Sequence, residues 1–104
     1  MQLTEHQLYT IHQFCRKRPV VRAYVFGSYA RGEANEESDV DLLLELDYDR
    51  LDGLDYLGWR QQLRRRLRKK VDIVSDLKPR GFASAKFYER VMADRRPIYE
   101  AASE

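Results

Sequence analysis

Residues 27–45 read GSYARGEANEESDVDLLLE, and they carry two changes of local structure. Gly27-Ser28 ends Val20 to Phe26, a run of β-branched and aromatic residues with the composition of a strand. Tyr29-Ala30-Arg31 leaves room for a short turn of helix before Gly32, and Asn35-Glu36-Glu37-Ser38 is polar turn material. From Asp39 to Leu46 carboxylates first alternate with apolar residues and then give way to Leu42-Leu43-Leu44, which returns the chain to a strand. The linker between these strands, about a dozen residues, suits an antiparallel pair better than a helical crossover.

Upstream, Thr4 with Gln7 has the form of a capped helix start. Leu8, Ile11, Phe14 and Cys15 give that helix one apolar face up to about Arg18, where Pro19 ends it. Downstream, Tyr56, Trp59, Leu63 and Leu67 fall within about 80° of one another at helical periodicity, which predicts an amphipathic helix over roughly Leu54 to Lys69. Val71-Asp72-Ile73-Val74 reads as a third strand, and the helix between it and the second permits a parallel pairing. Pro79-Arg80-Gly81 reads as a loop, Ser84 to Met92 as a helix, and Pro97-Ile98-Tyr99 closes the chain before fraying ends. The expected fold is α/β in the order α-β-turn-β-α-β-α, with a small mixed three-stranded sheet in one domain over residues 1–104.

Composition narrows the function. No apolar run is long enough to cross a bilayer and the N-terminus has no signal-peptide pattern, so a cytoplasmic protein is expected. A lone cysteine, Cys15, and two histidines leave no disulfide and no cysteine-based zinc site. The net charge of +2 conceals an asymmetry. Arg60, Arg64, Arg65, Arg66, Arg68, Lys69 and Lys70 form one basic run, and without it twelve basic residues face seventeen acidic ones.

The candidate chemistry lies in three carboxylates. Asp39 and Asp41, two apart in an extended strand, point to one face roughly 6–7 Å apart. Asp72 can join them if its strand is adjacent, with Val71 and Ile73 turned to the core. Converging carboxylates suit a hard divalent cation, Mg²⁺ above all, and two such ions could serve an in-line displacement. At the Gly27-Ser28 turn, backbone N–H groups and a hydroxyl can hold a phosphate, and Arg31 is placed to reach the same anion or to pair with Glu33 or Glu36.

Gly27-Ser28, ten intervening residues and Asp39-Val40-Asp41 together resemble the G-S-x10-D-x-D signature of the polymerase-β-like nucleotidyltransferases. The longer string, with the isolated Asp72 in VDIV, resembles the minimal nucleotidyltransferases in particular. The resemblance implies that Asp39 and Asp41 bind two Mg²⁺ ions, and that Asp72 ligates one and assists deprotonation of the attacking hydroxyl. It also implies that Gly27 and Ser28 hold the triphosphate of ATP and that Ser38 supports the loop. Small stand-alone members resemble the antitoxin half of HEPN/MNT pairs, which implies AMP transfer to a tyrosine of a HEPN ribonuclease toxin.

Other readings stand beside this one. A binding module could neutralise its partner by occlusion alone, or the acceptor could be RNA or a small molecule. The basic run reads as a solvated face, a contact for an acidic partner, or a nucleic-acid surface. Little aromatic interleaving beyond Trp59 and no RNA-binding motif argue against the last. Trp59 and Cys15 read as core residues, His6 and His12 as helix surface. Tyr29, Tyr88 and Tyr99 either pack or touch the base.

Overall fold

The computed structural model describes residues 1–75 and 85–102. Helix α1 (Glu5–Arg16) begins with a reciprocal cap: the Thr4 hydroxyl accepts from the Gln7 N–H, and the Gln7 side chain accepts from the Thr4 N–H. It stops at Arg16, short of the expected Arg18. The Arg18 guanidinium instead donates back to the Phe14 carbonyl at 2.9 Å and stacks 3.5 Å above the Phe14 ring. Then follow β1 (Val20–Phe26), α2 (Ser28–Arg31), β2 (Val40–Leu46), α3 (Gly53–Leu57), α4 (Trp59–Leu67), β3 (Val71–Ser75), α5 (Ala85–Asp94) and β4 (Arg96–Glu100).

The sheet order is β3-β2-β1-β4, with β1 antiparallel to β2 and to β4, and β2 parallel to β3. The antiparallel pairing favoured by the first connection and the parallel one permitted by the second are both present, but the sheet has four strands, not three. The added strand, Arg-Pro-Ile-Tyr-Glu, is only five residues long and contains Pro97, which lacks an N–H and so argues against a strand in a sequence. At the sheet edge a missing donor is tolerated, and Tyr99 is buried there with its ring edge-on to His12.

The helix expected over Leu54 to Lys69 is also two helices. Asp52 caps α3 by accepting from the Leu54 and Asp55 N–H groups, and Gly58 closes it by donating to the carbonyls of Asp55 and Tyr56. Tyr56 and Trp59 face inward on either side of the break, their rings 5.0 Å apart, with the Tyr56 hydroxyl 2.8 Å from Ser75 Oγ and the Trp59 indole donating to Asp55 at 3.0 Å. Asp39 lies just before β2, not within it.

Two apolar clusters flank the sheet. Ile11 and Phe14 of α1 with Trp59 and Leu63 of α4 cover Val40, Leu42, Leu44 and Val71 on one face. Phe26, Leu43 and Val91 form a smaller cluster on the other, under α5. Cys15 is buried in the larger cluster, where desolvation pushes its thiol up to about 12, so it behaves as a small inert apolar group. Among the described residues no helix is long and apolar enough to cross a membrane. The expected loop Pro79-Arg80-Gly81, the expected helix start at Ser84 and the last two residues lie outside the described residues.

Candidate active site

The site begins where β1 leaves the sheet. Gly27 adopts φ 70° and ψ −150°, a region essentially reserved for glycine. A Cβ at this position would fall against Oδ2 of Asp41, so the turn and the carboxylate require glycine together. The Gly27 carbonyl accepts from the N–H groups of Ala30 and Arg31 at 3.0 and 3.1 Å. Ser28 and Tyr29 open α2, and the first N–H groups of a helix have no acceptor within it.

Asp41 pairs with Phe26 across the antiparallel ladder and with Asp72 across the parallel one. Asp41 and Asp72 therefore stand abreast on the same sheet face as Leu43 and Val74, while Val71 is buried and Ile73 packs against the opposite cluster. Both carboxylates line a pocket of about 500 Å³ with Gly27, Arg31, Phe87 and Arg90. Burial, and then the negative charges of Asp72 and Asp39, push the Asp41 carboxyl up from 3.8 to about 6, with Arg31 opposing. Asp72 has local counter-charges: Arg64 Nη2 at 3.6 Å and Arg60 Nη1 at 3.9 Å.

Among the described residues no three His, Cys, Asp or Glu side chains are gathered closely enough to grip a metal as they stand. The donor set itself fits a hard divalent cation. It offers carboxylate oxygens only, and it leaves Asp41 with the electrostatic strain that a cation among these oxygens would relieve.

The remaining candidates divide. Arg31 lines the pocket, where its guanidinium pairs with Glu33 at 3.1 Å and with Asp94 at 2.7 Å. Ser38 Oγ accepts from the Asn35 N–H at 2.9 Å and closes the turn before Asp39. Lys69 donates to the Glu36 carbonyl at 2.7 Å and lies 5.6 Å from the Tyr29 ring centroid, which ties that turn to the end of α4. Tyr29 and Tyr99 are buried. Among the described residues, the charged contributors that the sequence does not single out are Arg60, Arg64, Arg90 and Asp94. Arg60 and Arg64 were visible only as members of a basic run, although their i,i+4 spacing just before a strand carrying a carboxylate was a usable signal. Arg90 and Asp94 come from α5, whose packing against β1 and β2 no local pattern encodes.

A nucleotidyltransferase-domain profile matches residues 9–99. A Methanocaldococcus jannaschii protein, whose name gives protein adenylyltransferase as an inferred activity, is 42% identical over 52 residues, which are 49% of this chain and 52% of that protein. The chain thus spans about half the length of that relative. A solved structure described as a minimal nucleotidyltransferase, by inference, superposes with a TM-score of 0.67 at 37% identity, covering 88% of each chain. A chain from the crystal structure of a toxin–antitoxin with AMP-PNP superposes with a TM-score of 0.71 at 25% identity, over 90% of this chain and 73% of that one. With the turn, the paired carboxylates and the sheet already in place, these matches establish that the chain belongs to the nucleotidyltransferase-domain family.

Proposed function

We propose that the protein transfers AMP from ATP to a hydroxyl, a tyrosine's in the first instance, on a partner protein of the HEPN ribonuclease class, and so acts as an antitoxin. The observation that carries this reading is the placement of Asp41 beside Asp72 on adjacent parallel strands, facing the pocket that Gly27 opens. Support for the setting comes from the AMP-PNP complex of a toxin–antitoxin with the same fold and from the adenylyltransferase name of the relative.

In this reading Asp39, Asp41 and Asp72 hold two Mg²⁺ ions, which supply charge neutralisation for the phosphates and for the developing oxyanion. Gly27 lets the backbone approach the triphosphate, and Ser28 and Arg31 contribute a hydroxyl and a cation to it. The acceptor oxygen forms a bond to the α-phosphorus while the bond to the bridging oxygen of the β-phosphate breaks and pyrophosphate leaves. Asp72 accepts the acceptor's proton. Arg64 keeps that carboxylate oriented at the pocket rim.

The test is incubation of the purified protein with Mg²⁺, α-³²P-labelled ATP and the product of the adjacent gene. Label on the partner that disappears in an Asp39→Ala/Asp41→Ala double variant is the expected outcome. Neutralisation by that double variant at equal abundance would overturn the catalytic reading in favour of occlusion, and label on RNA alone would overturn the protein acceptor.

A further inference from the structure

Among the exposed large apolar side chains, the two most exposed are Leu54 at 83% and Leu57 at 76%, three residues apart on α3. Their outward direction follows from the fold. Tyr56 and Trp59 occupy the inward side of this segment, locked by hydrogen bonds to Ser75 and Asp55, so α3 cannot roll to bury its leucines. Leu57 also lines a small pocket of about 230 Å³ with Tyr56, Arg60 and Ile73. Ile73 is a wall of the large pocket too, beside Asp72 and Asp41. One surface therefore runs from the carboxylates across Ile73, around the β3 edge of the sheet, to Leu57 and Leu54.

We infer that this shelf docks the protein acceptor, seating an apolar side chain of the partner over Leu57 and Leu54 and a carboxylate of the partner against Arg60. This rests on the reading of a protein acceptor given above. Three features select that occupant. The shelf is continuous with the site that the acceptor hydroxyl must reach. Arg60 is 58% exposed and its ion pair with Asp72 is loose at 3.9 Å, so its guanidinium can engage a second carboxylate. Arg65, Arg68 and Lys70 on and after α4 are exposed and, with Arg66 on the α1 side of that helix over Phe14, add long-range positive potential that favours an acidic partner surface. The rim carries both signs, Arg60 at the Leu57 end and the exposed Asp52 and Asp55 beside Leu54, and an apolar centre with a charged rim is the usual anatomy of a protein contact.

The experiment compares the intact protein with a Leu54→Asp/Leu57→Asp double variant, both checked for fold by circular dichroism. It uses the protein of the adjacent gene as acceptor and ATP with Mg²⁺ as the second probe. The variant is expected to bind the acceptor at least about tenfold more weakly, with KM for the acceptor raised and ATP affinity within about twofold of the parent. Binding of the acceptor by the parent should also weaken as salt rises from about 50 to about 500 mM. Equal acceptor affinity in parent and variant would overturn the docking proposal while leaving AMP transfer intact. Failure of the parent to bind any acceptor protein would overturn both readings. A parent dimer that the variant abolishes, seen by sedimentation, would assign the shelf to a second copy of the chain and overturn the acceptor proposal. Parent RNA binding lost in the variant would overturn it likewise.

Discussion

The two faces of β2 are built from neighbouring residues and do opposite things. On one face Val40, Leu42 and Leu44 have no exposure to solvent and lie under Trp59 and Phe14. On the other, Asp41 and Glu45 flank Leu43, and the apolar cluster there is small. A strand alternates its side chains, so one seven-residue segment supplies both a dry core and a charged site, and a shift of one residue in register would exchange them. Stability and chemistry are therefore separable on this strand. The apolar face holds the sheet in place, and the polar face accepts carboxylate repulsion that the other face makes affordable.

The largest effect should come from the polar face. Asp41→Asn removes a carboxylate from the pocket without changing its shape, and the proposed AMP transfer is expected to fall by about 10³-fold, about 4 kcal/mol of barrier, in single-turnover assays. Folding should be unharmed. Leu42→Ala on the opposite face should do the reverse. A fully buried leucine cut to alanine leaves a cavity, so urea denaturation should show a loss of about 3 kcal/mol, while transfer per folded molecule stays near the parent value. A Leu42→Ala protein that is fully folded but inactive would break the separation of the two faces.

Gly27→Ala tests the point at which both functions meet. The backbone there is strained for any residue with a Cβ, and the added methyl presses on Asp41 Oδ2. A stability loss of about 1–2 kcal/mol is expected, together with a drop in transfer exceeding what the unfolded fraction explains. Denaturation and activity measured on the same preparation separate the two.

The parts of this arrangement that could be read in the sequence are those set by short-range spacing. Gly27-Ser28 and Asp39-Val40-Asp41 lie on one hairpin-like excursion, so their proximity follows from strand pairing alone. Asp72 required only that a helix separate it from β2. What escaped depends on contacts distant in sequence. Arg60 and Arg64 reach Asp72 because α4 packs beside β3, and Pro97 conceals β4 because its cost vanishes only at an edge. The α5 contributions of Arg90 and Asp94 depend on docking against Phe26 and Leu43, which no local pattern states.

The smallest effect concerns the metal-free protein and has a definite sign. The Asp41 carboxyl titrates at about 6 in the folded chain, against an ordinary 3.8, so between these values the folded state holds a proton that the unfolded state has lost. That proton's contribution is fully present below pH 3.8 and is lost as pH rises through about 6, so this group makes the protein less stable toward neutrality. The side chain is only half-buried and water screens it, so the difference should be about 1 kcal/mol, well below what the shift alone implies. Asp41→Asn should remove this slope and, at pH 7 without metal, be slightly more stable than the parent while lacking activity. Mg²⁺ should do for the parent what the substitution does for the variant, because it favours the ionised carboxylates. Added Mg²⁺ should therefore raise the parent's melting temperature more at pH 7.5 than at pH 5, and leave Asp41→Asn nearly unmoved. An equal response of both proteins would place the ion away from Asp41, and the two faces of β2 would then differ in burial without differing in function.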